Sequence, residues 1–360
     1  MRIVVCIKVV DGELNPFDEC ALESALRIKD ADVVVVSMCP PSATERLRTL
    51  TRLGVNRVIL LTDAAFAGSD TLATGYILSV AIKQLKPDYV FCGRQTIDGD
   101  TAQVGPMLSV HLGFSLITNV MRIDDLTPQS VLCNTRMGKE HADAPAVLTI
   151  ERINTLRFPS IRSRLGEVEI ITNRELSADI TRCGLRGSPT RVLKTYENTS
   201  GRRKCTLIPL AALPEIIQNV TVKAETSSVT ESTESSAKLP LVYAIGDIVA
   251  EKADRIAERV IVLPLSDAES FTKTLKEQNA DVVLWNADLW GRKTAPRVAA
   301  MLDTGLCADC TSLETDGNRL FMYRPARSGN IIAKIECLTS PQMATVRCEQ
   351  KSDDIILSQT

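Results

Sequence analysis

From Cys92 to Pro106 the chain reads CGRQTIDGDTAQVGP, with three glycines, two carboxylates and two threonine hydroxyls in one short stretch. It follows an apolar run, DYVFC, that reads as a strand and precedes an amphipathic run, MLSVHL, that reads as a helix. Gly93 and Gly99 permit close backbone approach. A helix starting near Thr101 would present unpaired N–H groups and the positive end of its dipole. Thr101 and Gln103 would add side-chain hydrogen bonds. Such a loop suits a phosphate or pyrophosphate. Asp98 and Asp100 oppose that reading if they point inward. They fit better as backbone caps, or as acceptors for ribose hydroxyls or an adenine amine. The loop is neither a Walker sequence nor a GxGxxG fingerprint, so ligand binding and plain helix capping both remain open.

Two more loops follow strand-like runs. Asp11–Asp18, DGELNPFD, contains an Asn15-Pro16 turn that can also start a helix. Ser37–Pro41, SMCPP, ends the second strand. In a parallel sheet these loops and the Cys92 loop can converge beyond the carboxyl ends of the strands, where open α/β sheets take their ligands. Other candidates are weaker. Cys307-Ala308-Asp309-Cys310 is a CxxC without a second ligand pair at zinc spacing, so structural thiols are expected. His111, expected on a helix surface, and His141 have no nucleophile partner, and no triad or carboxylate pair is recognisable.

The elements that must hold these loops alternate regularly. Ile3–Val9, Val33–Ser37, Val58–Thr62 and Tyr89–Cys92 are β-branched or aromatic runs. Helical periodicity marks Cys20–Lys29, Ser42–Leu53 and Thr71–Leu85, the last capped by Ser69-Asp70. The pattern predicts βαβ units on a parallel sheet. Val131–Cys133 and Ala146–Glu151 read as extra strands. An arginine-peppered stretch containing Arg157, Arg162, Arg164, Arg174, Arg182, Arg186 and Arg191 then reads as an extended arm wrapping over another part of the molecule.

From Lys223 to Lys238, KAETSSVTESTESSAK is too polar to offset its ordering entropy and is expected as a flexible linker. Beyond it the alternation resumes: Leu241–Ile245, Ile256-Ala257 in a helix, Val260–Leu263, Phe271–Lys276, Val282–Trp285 and a helix around Pro296–Leu302. The expected organisation is a first unit over residues 1–222, a linker over 223–238 and a second α/β unit over 239–360.

Composition bounds the function. The 360 residues are 44% hydrophobic and 24% charged, and 42 Lys+Arg nearly balance 44 Asp+Glu. This charge balance and an aromatic content of 4% point away from nucleic acid. No apolar run approaches a membrane span. The N-terminal MRIVVCIKVVDGELNPF, with Lys8 inside it, is a poor signal peptide and a plausible strand. Eleven cysteines without secretory targeting read as reduced thiols in a cytoplasmic protein.

The same residues carry a family resemblance. VVCIKVVDG, NPFDECALESALRIK, VVSMCPP, FAGSDTLATGYILSVAIK and CGRQTIDGDTAQVGP, followed by LRFPSIR and GLRGSPTRV, resemble the β subunit of electron-transferring flavoproteins. Past the linker, ADVVLWNADLWGRKTAPRVAAMLDTGLCADCTSLE, RPARSGNIIAKIEC and PQMATVR resemble the N-terminal domain of the α subunit. The resemblance implies two open parallel-sheet units of adenine-nucleotide-hydrolase-like fold. It also implies a β subunit fused to a shortened α domain, without the α-subunit domain that holds the redox FAD. The implied cofactor is FAD or AMP. Matched residue by residue, its site comprises Cys6, Asn15, Pro16, Phe17, Asp18, Met38, Gly93, Arg94, Gln95, Thr96, Ile97, Asp98, Gly99, Asp100, Thr101, Ala102, Gln103 and Val104. The DGDTAQVGP form looks more like the flavin-binding, bifurcating group than the AMP group. Phe158 stands where the family presents an apolar side chain to dehydrogenases of the acyl-CoA type, with a core role in the arm as the alternative. The implied function is an electron carrier rather than a conventional enzyme, working between dehydrogenase partners and a separate FAD-domain flavoprotein. The alternative is a non-redox adenine-nucleotide-binding scaffold.

Overall fold

The computed structural model describes residues 1–198, 213 and 237–348. Of the expected linker only Ala237 and Lys238 fall within these, and the residues after Cys348 lie outside them.

Eleven strands belong to the first unit: β1 (Arg2–Cys6), β2 (Val9–Val10), β3 (Glu13–Leu14), β4 (Asp32–Met38), β5 (Arg57–Leu61), β6 (Tyr89–Gly93), β7 (Ser115–Leu126), β8 (Ser130–Thr135), β9 (Gly138–Asp143), β10 (Ala146–Ile150) and β11 (Glu169–Ile171). All but the β2–β3 hairpin join one nine-stranded sheet, ordered β11-β5-β4-β1-β6-β10-β7-β8-β9. β11 through β7 run parallel, and β7, β8 and β9 continue as an antiparallel meander. Along β1 the side chains alternate between two cores. Ile3 and Val5 join Leu22 and Ala25 of helix α1 (Pro16–Leu26), while Val4 and Cys6 join residues of α3 (Thr71–Leu85) and α4 (Val104–Leu112). Burial on both faces explains why these strands read as unbroken apolar runs.

Local chemistry sets the helix ends. Pro16 occupies the first turn of α1, where its missing N–H costs nothing. Asp70 caps α3 by accepting from Leu72 N and Ala73 N. The helix expected over Ser42–Leu53 is divided: α2 (Thr44–Arg48) lies between tighter turns at Pro41–Ala43 and Thr49–Leu53. Thr44, Thr49 and Thr51 each bond the carbonyl three residues back, which tightens the ladder.

The second unit has a five-stranded parallel sheet ordered β14-β13-β15-β20-β16. Its strands are β13 (Val242–Ile245), β14 (Val260–Leu263), β15 (Val282–Asn286), β16 (Leu306–Cys310) and β20 (Gln342–Val346). Ile256-Ala257 lies just past the helix Asp247–Asp254 rather than inside it, and Ala257 bridges Leu239. A four-stranded antiparallel sheet packs beside it: β12 (Thr190–Glu197), β19 (Ile331–Cys337), β18 (Leu320–Ala326) and β17 (Ser312–Thr315). β12 comes from the arginine-rich arm and pairs along β19 from Thr190↔Cys337 to Glu197↔Ile331. The arm also ties back to the first unit, where Arg157 grips the buried Glu23 carboxylate through its backbone N–H, Nε and Nη2.

The two units share a core. Leu72 and Met107 pack with Tyr243, Ile245, Trp285 and Ala295. Through the same seam, Thr71 Oγ1 donates to Gln103 Oε1 at 2.7 Å and Gln103 Nε2 donates to Leu306 O at 3.0 Å. Thr190 donates to Asp70 through both its N–H and its hydroxyl.

Candidate functional site

β1 and β4 are neighbours on one side and β6 lies on the other, so the strand order reverses between β1 and β6. That reversal is the switch point where open α/β sheets form a crevice. The loops after β1 and β6 meet there. Asn15, with no exposed surface, donates its amide to Gln95 O at 2.9 Å and accepts from Ile97 N at 3.3 Å. Asp18 accepts from Lys8 N at 2.8 Å and Gly93 N at 3.1 Å, clamping the ends of both strands. Burial pushes the Asp18 carboxyl up to about 7, against hydrogen bonds from Lys8, Asn15 and Gly93 that favour its ionised form. Cys6 and Cys92 face each other in register at the strand ends, both buried. The neighbouring thiol and burial together hold Cys92 protonated.

The loop's two other aspartates are engaged within the protein. Asp98 pairs with Lys8 Nζ at 2.5 Å. Burial opposes its ionisation, but Lys8 and Thr96 outweigh that and hold the carboxyl below its ordinary range. Asp100 accepts from Gln95 Nε2 at 3.2 Å and, across the unit boundary, from Ser328 N at 2.8 Å. Beside it Arg327 N donates to Asp98 O at 3.0 Å, so the β18–β19 turn rests on this loop. Arg94 lies over the Phe17 ring at 5.1 Å and pairs with the buried Glu151, which also pairs with Arg136.

Residues at the end of the loop turn away from the crevice. Asp100 and Ala102 take positive φ angles of 52° and 55°, so α4 starts at Val104 rather than near Thr101. Gln103 is committed to the seam between units, and Val104 packs on the α3 side of the sheet. Gly105 allows α4 to approach Thr149 of β10 where a Cβ would clash. Met38 is half-buried at the end of β4, and the adjacent Cys39 Sγ accepts from Val9 N at 3.4 Å. Pro16 and Phe17 lie in the first turn of α1, and Asp100 N donates to Thr96 O at 2.9 Å to close the turn that contains Gly99, with Thr101 directly after it.

Lys8, Glu151, Arg136 and Ser328 were not among the expected site residues. Lys8 interrupts an apolar run and Glu151 ends another, which are legible irregularities. Ser328 is 228 residues from its partner and carries no local signal.

His111 is half-buried rather than exposed. It packs edge-on against Tyr76, with ring centroids 6.2 Å apart at 80°. Burial, with Arg182 and Lys83 nearby and Asp303 opposing, drops its pKa to about 4. Because the folded value lies below the ordinary one, neutral His111 supports the fold fully above pH about 6.5 and loses that support as pH falls toward 4. The loss should be at most on the order of 3 kcal/mol. Urea unfolding of wild type and His111→Gln at pH 7 and pH 4 checks this. An equal pH dependence in both proteins would refute it.

Among the described residues no group of three or more His, Cys, Asp or Glu side chains could hold a metal. Cys307 and Cys310 are buried free thiols in β16, and no described helix is long and apolar enough to cross a membrane. Phe158 is 93% exposed and Ile161 99% exposed on the arm, so Phe158 is not a core residue.

The model of the electron transfer flavoprotein domain matches residues 3–174 and 229–350, and the chain belongs to that family. It is 38% identical over 248 residues to "Protein FixA" of Azorhizobium caulinodans, spanning 58% of this chain and 88% of that protein. Electron transfer flavoprotein subunit beta of Clostridium acetobutylicum is 38% identical over 226 residues, with 54% of this chain and 87% of the relative covered. The subunit beta of Megasphaera elsdenii is 40% identical over 236 residues, with 54% and 87% covered.

Proposed function

We propose that the chain is an electron-transfer flavoprotein component holding FAD or AMP at the β1/β6 switch point. In this reading it passes electrons between dehydrogenase partners, with the second unit standing as a fused α-type domain and a separate FAD-domain protein completing the path. The observation that carries the reading is the meeting of the Asp11–Asp18 and Gly93–Thr101 loops at the strand-order reversal, in a chain of this family. Asn15, Asp18 and Lys8 would shape the crevice, and Gly99 and Thr101 belong to the loop that would border it. A bound flavin would supply the redox chemistry, and these residues would bind and orient its adenylate half. The exposed Phe158 beside Pro159 suits an anchor for a dehydrogenase pocket.

The alternative, a non-redox adenine-nucleotide-binding scaffold, uses the same adenylate crevice. A visible spectrum and acid extraction of the purified protein distinguish the two. Flavin supports the carrier, and AMP alone supports the scaffold. A Cβ at Gly99 meets nothing closer than Thr96 Oγ1 at 3.5 Å, so Gly99→Val should fold normally. It is expected to abolish nucleotide binding, and Thr101→Ala to weaken it several-fold through loss of one hydrogen bond. Unchanged affinity in folded Gly99→Val would overturn the site.

A further inference from the structure

The carboxyl end of the second unit's sheet carries a different cluster. Asp309 lies in β16 where its pairing with β20 shifts register between Cys307 and Cys310, and its φ is 61°. Bulges of this kind re-aim side chains. Two guanidinium groups bond its carboxylate, and the charge of a third lies near it. Arg292, in the first turn of the helix Leu289–Leu302, donates from Nη2 to Oδ1 at 2.7 Å. Arg347, directly after β20, donates from Nε to Oδ1 at 2.7 Å and from Nη2 to Oδ2 at 2.5 Å. The third, Arg324, ends the inward-facing row Leu320, Met322, Arg324 on β18 and is only 4% exposed. Its Nε and Nη2 are buried and have no hydrogen-bond partner among the described residues.

A buried arginine cannot discharge itself, because its pKa lies too high. Leaving two donors of a charged group unpaired inside a protein is strongly unfavourable. Asp309 is already occupied by Arg292 and Arg347, so Arg324 still needs an acceptor. The planar fork of a guanidinium matches two oxygens of a tetrahedral oxyanion, and the carboxyl end of a parallel sheet is where such ligands settle. We propose that Arg324, with Arg292 and Arg347, forms an anion site in the second unit that takes a phosphate group, either free or as the phosphoryl group of a nucleotide. The field of Arg292 reaches Arg94 in the first unit, which adds to the positive potential there. This site is built from residues other than those assigned to the β1/β6 crevice and does not depend on the adenylate reading.

Calorimetric titration of the full chain at low ionic strength with inorganic phosphate, pyrophosphate and AMP tests it. Phosphate or pyrophosphate is expected to bind and to raise the unfolding temperature. Arg324→Met, which keeps an unbranched apolar stem and removes the charged head, should weaken that binding at least ten-fold. Arg324→Lys, which keeps the charge but not the fork, should weaken it less. Where AMP displaces phosphate and Arg324→Met weakens both, the ligand is a nucleotide phosphoryl group. Where AMP does not displace it, the ligand is free phosphate. Arg347→Gln serves as a second variant if Arg324→Met does not fold, and it too should weaken phosphate. A wild-type chain that binds none of the three, or variants that bind phosphate as wild type does, would overturn the site. Loss of AMP binding in Gly99→Val with phosphate binding intact would keep the two sites distinct.

Discussion

Gly93→Val is expected to lose nucleotide binding altogether and to destabilise the first unit by about 3 kcal/mol, the upper end of the range for overpacking. A Cβ at Gly93 would clash with Asp18 Oδ1 and would lie 2.7 Å from both the carbonyl carbon and the Cβ of Phe17. Neither neighbour can yield cheaply. Phe17 is in the first turn of α1, and Asp18 holds Lys8 N and Gly93 N together at the ends of β1 and β6. Pushing α1 back would release those two hydrogen bonds and the Asn15 bonds to the Gln95–Ile97 turn. Gly99→Val is the companion measurement, since space at Gly99 permits a side chain. Equilibrium unfolding should therefore show a large loss for Gly93→Val and a small one for Gly99→Val, although both lose nucleotide. Equal stabilities would mean that the close approach of α1 to β6 has no energetic role.

Asp309→Asn is expected to cost about 3–5 kcal/mol, the usual penalty for removing one member of a buried ion pair. Burial opposes ionisation of Asp309, but hydrogen bonds from Arg347 and the fields of Arg292 and Arg324 prevail and hold its carboxyl below the ordinary range. Its folded pKa is depressed, so its contribution is present above the ordinary carboxylate pKa and disappears as pH falls below it. In Asp309→Asn, Arg292 and Arg347 lose their shared carboxylate while the Arg324 charge stays near them. Added phosphate should then restore part of the lost stability, and more than chloride at equal ionic strength. A stability within 1 kcal/mol of wild type would show that the ion pairs contribute little.

The sequence alone determined the βαβ alternation, both α/β units and the loops that meet beyond β1 and β6. These follow from local causes: apolar period, capping at Asp70, the Asn15-Pro16 turn, and glycines at Gly93 and Gly99. Burial of every parallel strand on two faces produces apolar runs that cannot be missed. Other features depended on partners far away in the chain. α4 starts at Val104 because Asp100 and Ala102 take positive φ angles, and the Asp100 contact with Ser328 beside them leaves no local signal in the sequence. Gln103 reads as a ligand donor in its loop, yet Thr71 and Leu306 consume its amide. His111 reads as an exposed helical residue until α3 supplies Tyr76. The insertion of β10 between β6 and β7, and the crossing of β12 into the second unit, are pairings between backbones, for which side-chain pattern sets strand character but not neighbour. Arg324 continues the inward row of Leu320 and Met322 on β18, a placement no sequence pattern singled out. Only the tertiary arrangement, which spends Asp309 on two other arginines, left two donors of that buried charge without a partner among the described residues.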